Sequence, residues 1–147
     1  MYKLYAVGFG TGDRAHMTAE AESAILDADL VVGYTTYVRL MQPLFPEKEF
    51  FSTPMRKEID RCKLAIQEAR SGKTVAVISS GDSGIYGMAG VLLELAEAYD
   101  DLEVIVVPGI TASNAAAAVL GAPLMHDFAT ISLSDCMTPL ELIYRRV

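Results

Sequence analysis

Glycines and one acidic side chain are concentrated between residues 81 and 90, and this stretch is well suited to hold a ligand. The apolar run Val75–Ser79 leads almost directly into Gly81-Asp82-Ser83-Gly84. A strand that ends in such a turn before a helix presents free backbone N–H groups, and with the acidic side chain these can hold a polar ligand. Gly87 and Gly90 follow in the predicted helix, where each glycine costs about 1 kcal/mol relative to alanine. We therefore expect another backbone or a cofactor to approach closely there.

Two further turns of small residues follow other predicted strands, at Gly8–Gly12 and Pro108–Ala112. The first is glycine-rich, but its third glycine comes one position early for a dinucleotide motif, and Asp13 stands where that motif requires glycine. Because no Gly-Lys-Ser/Thr follows any glycine turn, the sequence also argues against ATP or GTP hydrolysis. Taken alone, either turn is also consistent with tight packing between a helix and the sheet.

The remaining candidates for chemistry are a histidine with its acidic neighbour and two cysteines. A histidine titrates near neutral pH, so His126 beside Asp127 can serve as an acid or base. The alternative, which we favour, is a hydrogen bond at the start of a strand. Cys62 lies on an apolar helical stripe and is predicted to be a small core residue, and neither it nor Cys136 has a histidine spaced for a metal site. No metal is predicted.

These residues must be positioned by alternating strands and helices, which indicate an α/β fold with a mainly parallel sheet flanked by helices. The continuous apolar runs at Val75–Ile78 and Val104–Val107 predict two central strands. Ligands of such sheets bind beyond the carboxyl ends of the strands, where the three turns lie. The predicted strands are Leu4–Gly8, Leu30–Gly33, Glu49–Ser52, Val75–Ser79, Val104–Val107 and Thr130–Leu133; the predicted helices are Thr18–Ala28, capped by Thr18, Glu58–Arg70, Ile85–Tyr99, Ala112–Leu120 and a short one from Pro139.

Composition narrows the class of partner. The chain has 147 residues and a net charge of −7, with 12 basic residues scattered among 19 acidic ones, which argues against nucleic acid. The one basic cluster (Arg56, Lys57, Arg61 and Lys63) is interleaved with acids and is predicted to be a solvated face rather than an anion site. No apolar run approaches the roughly 18 residues of a membrane helix. We expect reduced thiols and a cytoplasmic protein with no membrane partner.

Read together and in order, the three turns resemble the signatures of the tetrapyrrole (corrin and porphyrin) methylase family. Within that family, the segments Gly33–Tyr37, Gly81–Gly87 and Leu120–Asp135 look most like the branch that methylates carbon 17 of precorrin-3B or of its cobalt counterpart, cobalt-factor III. The resemblance covers the whole chain. It implies methyl transfer from S-adenosylmethionine, coupled to contraction of the macrocycle, in cobalamin biosynthesis.

The resemblance also implies domain boundaries and a set of cofactor contacts. Residues 1–133 correspond to the N-terminal domain of a two-domain fold, and residues 134–147 to a linker and the start of a C-terminal domain that is absent. A homodimer is expected. The implied contacts with S-adenosylmethionine, or with the product S-adenosylhomocysteine, are Thr11, Ser80, Gly81, Asp82, Ile85, Gly109, Ile110, Thr111 and Ala112.

Methyl transfer at a sulfonium depends mostly on positioning and on exclusion of water, so a strong base is not obligatory. Tyr34 stands where related methylases place an aspartate proposed to take a proton, and it is either a proton handler or a wall of the substrate cleft. Asp82 is either a cofactor contact or the cap of a helix beginning near Ile85. The alternatives are a sister methylase, such as another precorrin methyltransferase or diphthine synthase, and a ligand-binding domain without turnover.

Overall fold

The protein is described by a computed structural model that covers residues 1–132 and 139–145. Strands and helices alternate through most of this part of the chain, and a short 3₁₀ helix at Arg14–His16 interrupts the first crossover. The elements are β1 (Tyr2–Gly8), α1 (Ala19–Asp27), β2 (Leu30–Tyr34), α2 (Thr35–Met41), β3 (Glu49–Thr53), α3 (Glu58–Arg70), β4 (Val75–Ser79), α4 (Ala89–Ala96), β5 (Leu102–Val107), α5 (Ala112–Leu120) and α6 (Leu140–Tyr144).

The five strands form one sheet in the order β3-β2-β4-β1-β5, and every pairing is parallel. Two separate apolar clusters cover its two faces. Along β4, Val75 and Val77 belong to the cluster that includes residues of α3 and α4, whereas Ala76 and Ile78 belong to the cluster that includes residues of α1 and α2. All five residues of β4 are buried, as its unbroken apolar sequence requires. The predicted α/β class with a parallel sheet is confirmed.

Several local predictions are also confirmed by the structure. Helix α3 begins and ends at the predicted residues, and Cys62 on its inner side is fully buried. The side chain of Thr18 accepts a hydrogen bond from the Ala21 N–H at 3.0 Å and so caps α1. Pro139 stands at the N-cap of α6, where a short helix was expected.

The prediction that Val104–Val107 is a central strand is wrong, because β5 lies at the edge of the sheet and Val106 is 42% exposed. Val104 and Ile105 nevertheless pack against opposite apolar clusters. An unbroken apolar run is therefore compatible with a strand whose two faces are only partly covered. It does not report that the strand has a neighbour on each edge.

Two other element predictions are corrected. Helix α4 begins at Ala89 rather than near Ile85, because residues 83–88 form a series of bends in which Tyr86 has a positive φ of 53° that no helix tolerates. No strand forms at Thr130–Ser132; the last residue of that predicted strand, Leu133, lies outside the described residues. Helix α2 was not predicted.

The prediction that the basic cluster is a solvated face is wrong for one of its four residues. Arg56, Lys57 and Lys63 are exposed, but the side chain of Arg61 is only 3% exposed. Arg61 shares the inner side of α3 with Cys62 and Ala65, so its position in the helical repeat carries it inward.

The chain divides into two compact units, Met1–Ala112 and Ser113–Val147, and both apolar clusters lie in the first. The predicted boundary between residues 133 and 134 lies outside the described residues, so the assignment of 1–133 and 134–147 stays a prediction. Within the described part of the chain, no helix has both the length and the apolar character needed to cross a membrane.

Candidate functional site

The three turns of small residues meet because the strands that deliver them are neighbours. β4, β1 and β5 lie side by side and run in the same direction, so their carboxyl ends share one edge of the sheet. The turns begin at Gly8, at Ser80 and at Pro108. The sequence prediction that they share one edge is confirmed.

The first two turns are joined backbone to backbone. Gly10 N–H donates to the Gly81 carbonyl at 3.0 Å, and Gly81 N–H donates to the Gly10 carbonyl at 2.8 Å, which makes an isolated antiparallel bridge. Both residues have positive φ, 75° for Gly10 and 67° for Gly81, a conformation that a residue with a side chain rarely adopts. The bridge therefore explains why glycine stands at each of these positions.

Close packing among the three turns explains two more glycines. A Cβ atom added to Gly109 would lie 2.1 Å from the Gly81 carbonyl oxygen and 2.5 Å from the Gly8 carbonyl oxygen. A Cβ atom added to Gly8 would lie 2.7 Å from the same Gly81 oxygen. The structure thus supports the packing explanation for these turns, and a ligand is not needed to account for the glycines themselves.

Asp82 connects the second and third turns. One carboxylate oxygen accepts the N–H of Gly84 at 2.8 Å, and the other accepts the N–H of Gly109 at 3.0 Å. The cap role proposed for Asp82 is wrong, because the helix does not begin near Ile85. The side chain instead fixes its own turn and the turn that follows β5, in a half-buried position.

Two serines form hydrogen bonds to the backbone that the sequence analysis did not predict. Ser83 is fully buried, and its hydroxyl donates to the Val107 carbonyl at 3.0 Å, which ties the second turn to the end of β5. The hydroxyl of Ser79 accepts the Met88 N–H at 3.1 Å and holds the start of α4 against the end of β4. For Ser79, the signal available in the sequence was a polar residue at the end of an otherwise apolar strand.

The predicted cofactor residues all lie in or directly after these turns. A Cβ atom added to Gly81 would lie 3.5 Å from the Thr111 Cα and 3.6 Å from the Ala112 nitrogen. A Cβ atom added to Gly10 would lie 3.9 Å from the Ile110 Cβ. Thr11 is exposed and donates to Asp13 at 3.2 Å. Ser80 and Ile85 are exposed beside them. The edge therefore offers small residues, exposed hydroxyls and one exposed isoleucine, a surface that suits a polar ligand with an apolar part.

Tyr34 ends β2 and faces a second feature of the same edge. It packs edge-to-face with Tyr37 at 5.2 Å between ring centroids, and both rings line a cavity of about 140 Å³. The other lining residues are Met55, Glu58, Ser79, Ser80, Tyr86, Gly87 and Met88. Ser80 belongs both to this wall and to the second turn, so the cavity adjoins the predicted cofactor residues. The geometry favours Tyr34 as a cleft wall.

The other predicted catalytic candidates come from the later part of the chain. His126 and Asp127 belong to the second compact unit, where both are exposed and His126 sits at a bend. The favoured interpretation of His126, a hydrogen bond at a strand start, is wrong because no strand forms at Thr130–Ser132. Their catalytic role stays a prediction.

The two glycines expected to admit a close neighbour behave differently. A Cβ atom on Gly87 would lie 2.3 Å from the Ser83 carbonyl oxygen, so the close approach there is local. Around the Cβ position of Gly90 no neighbouring protein atom lies within 4 Å, so the prediction that another backbone approaches there is wrong, whereas the approach of a cofactor stays a prediction.

Histidine and acidic residues near the first turn form an ordinary surface pair. His16 Nδ1 lies 2.8 Å from the Asp13 carboxylate, and this hydrogen bond lowers the pKa of Asp13. Both side chains are more than half exposed. Among the residues that the structure describes, no three His, Cys, Asp or Glu side chains come together as a metal site.

The fold is that of a known protein family, as comparison with other proteins shows. The model of the family "Tetrapyrrole (Corrin/Porphyrin) Methylases" matches residues 3–146, and the chain belongs to this family. The chain is 52% identical over 145 residues to a probable cobalt-factor III C(17)-methyltransferase of Salmonella typhimurium, covering 98% of this chain and 60% of the relative. It is 38% identical to a precorrin-3B C(17)-methyltransferase of Sinorhizobium sp., covering 98% of this chain and 58% of the relative.

Solved structures show the same fold. The crystal structure of the methyltransferase CobJ superposes with a TM-score of 0.85 at 39% identity, covering 99% of this chain and 61% of that one. A cobalt precorrin-4 methyltransferase, CbiF, gives a TM-score of 0.69 at 28% identity, covering 88% of this chain and 55% of that one. The chain thus spans little more than half the length of these relatives. The family resemblance drawn from the three turns is confirmed.

Proposed function

We propose that this chain is the cofactor-binding N-terminal part of an enzyme that methylates carbon 17 of cobalt-factor III or precorrin-3B in cobalamin biosynthesis. The observation that carries the proposal is the junction of three turns at one sheet edge, in a chain 52% identical to a relative named for this reaction. Identity to a cobalt precorrin-4 methyltransferase is lower, at 28%, which favours the C(17) branch over that sister enzyme.

The methyl donor fitting this family is S-adenosylmethionine. The exposed residues Thr11 and Ser80 and the half-buried residues Gly81, Gly109 and Thr111 can bind polar parts of the donor. Ile85, which is 43% exposed, offers an apolar contact for its adenine. These residues bind and orient the donor; the second turn, fixed by Asp82, sets where it lies.

In the proposed reaction, carbon 17 attacks the methyl carbon and the carbon–sulfur bond breaks. The electron pair of that bond stays on sulfur, and S-adenosylhomocysteine is released. What the protein must supply is alignment of donor and acceptor and a dry cleft, and the aromatic side chains of Tyr34 and Tyr37 can provide one wall of it. By family resemblance we expect a cytoplasmic homodimer. Sedimentation velocity on the purified protein can test whether it is a dimer.

The proposal is tested by calorimetric titration of the full-length gene product with S-adenosylhomocysteine. We expect saturable binding that Asp82→Ala weakens about tenfold, because the variant frees the third turn by removing a charged hydrogen-bond acceptor. Asp60→Ala is the matched control, since it removes an exposed carboxylate whose described ion pair is a surface one with Lys57. Absence of binding by folded wild-type protein would refute the proposal.

A further inference from the structure

Arg61 is a buried cation that forms no ion pair with any carboxylate of the described residues. Its side chain is 3% exposed. Glu58, one helical turn earlier, raises the pKa of the guanidinium, yet burial has the larger effect and lowers it below its ordinary value. An arginine stays charged in proteins despite such shifts. The first compact unit therefore carries one positive charge whose burial no described carboxylate neutralises.

The guanidinium is held in place by contacts to three neighbouring residues. Nε donates to the Thr53 hydroxyl at 2.8 Å, one terminal nitrogen donates to the Pro54 carbonyl at 3.3 Å, and the other lies 3.5 Å from the Met88 sulfur. These contacts engage three of the five N–H bonds of the group. The remaining N–H bonds have no partner among the described residues, so the charge is fixed in position and only partly satisfied.

The charge lies directly behind the wall of the cavity next to the second turn. Met88, which touches Arg61, lines that cavity together with Tyr34, Tyr37 and Ser80. Glu58 also lines it, but its side chain is exposed, so water screens its negative charge more than it screens the buried guanidinium. The cavity therefore has one exposed negative charge on its wall and one buried positive charge behind Met88.

We propose that Arg61 is a positioning residue that gives this cavity a positive potential and thereby draws in a carboxylate of the tetrapyrrole substrate. The inference rests on the proposed function, because corrin precursors carry several carboxylate side chains. It assigns a role to the cavity that differs from that of the three turns. Substrate carboxylates at this wall would set the orientation of the macrocycle relative to the methyl donor.

A purely structural role for Arg61 predicts a different response to substitution. A buried cation without a carboxylate is expensive to desolvate, and an apolar side chain of similar length fills the same space at lower cost. If Arg61 only filled space, Arg61→Met would leave substrate binding unchanged. If it attracts a carboxylate, the variant keeps its stability and loses affinity for anionic tetrapyrroles alone.

The test uses the full-length gene product with two probes, uroporphyrin III as a polycarboxylate tetrapyrrole and S-adenosylhomocysteine. We expect Arg61→Met to weaken uroporphyrin binding about tenfold, as the loss of one attraction at a partly desolvated site implies, and to leave the affinity for S-adenosylhomocysteine within about twofold of wild type. Lys63→Met is the matched control, since it removes a charge from the exposed side of the same helix. It should leave both affinities unchanged.

Arg61→Gln guards against misfolding of the methionine variant, because glutamine removes the charge and keeps a donor for the Pro54 carbonyl. Equal uroporphyrin affinity in wild type and in either folded variant would overturn the inference. Loss of both affinities together would also overturn it, since it would show a general structural role. A wild-type protein that fails to bind S-adenosylhomocysteine would instead refute the proposed function, and the two failures are thereby distinguished.

Discussion

Gly109→Ala is expected to separate the three turns. The added Cβ atom would lie 2.1 Å from the Gly81 carbonyl oxygen, whereas ordinary van der Waals contacts of a Cβ atom begin at 3.4 Å. The opposing atoms are backbone, so no side-chain rotation relieves the clash, and at least one turn must move by on the order of 1 Å. A shift of that size breaks the 3.0 Å hydrogen bond from Gly109 to Asp82, which is worth about 1.5–3 kcal/mol. We expect the free energy of unfolding to fall by about 2–3 kcal/mol.

Urea denaturation measures this change, and calorimetry with S-adenosylhomocysteine measures the accompanying loss of affinity. Gly90→Ala is the control, because the space around Gly90 is open and an alanine in α4 should raise stability by about 0.5–1 kcal/mol. Opposite signs for two glycine-to-alanine changes would separate packing from general effects of the substitution. A Gly109→Ala protein with wild-type stability and wild-type affinity would refute the packing argument for the turns.

Two further predictions concern buried polar groups. Ser83→Ala should lower the free energy of unfolding, measured by urea denaturation, by about 1–3 kcal/mol, because it leaves the Val107 carbonyl without the hydroxyl that donates to it. The control is Ser80→Ala, at an exposed neighbouring position, which should change the free energy of unfolding by less than about 0.5 kcal/mol. Burial raises the pKa of Cys62 from 9.0 to about 11, so iodoacetamide at pH 8 should spare Cys62 in the folded protein, as peptide mapping would show. Because folding raises this pKa, the contribution of Cys62 to the free energy of unfolding is fully present below pH 9.0 and is lost as the pH rises toward 11. If iodoacetamide labelled Cys62 in the folded protein as fast as in the unfolded protein, its burial would be contradicted.

The sequence was most informative where a segment's own pattern determines its structure. Helix α3 was predicted to the residue because an inner apolar stripe and a polar outer side repeat along it. The cap at Thr18 and the buried strand β4 follow from equally local rules. The shared edge of the three turns followed from the parallel arrangement of the strands. These successes required no knowledge of long-range contacts.

The errors occur where distant contacts decide the outcome. The edge position of β5 depends on which strands pair, and its apolar sequence is the same for an edge or an inner strand. The late start of α4 depends on the positive φ of Tyr86. The presence of a tyrosine in the sequence does not indicate that backbone conformation. Arg61 was placed on a solvated face because its charge outweighed its position in the helical repeat. In the site, the residues that join the turns, Ser83 above all, gave only a weak local signal.

The paired amide bonds between Gly10 and Gly81 have a consequence for the thermodynamics of binding. The two turns hold each other through protein contacts alone, so their backbone order exists before any ligand arrives. A flexible glycine loop would lose conformational entropy on binding, whereas this one has already lost it during folding. A pre-organised surface of this kind keeps its affinity when the ligand itself makes few contacts. The amides of both glycines should accordingly exchange with solvent deuterium slowly even in the apo protein.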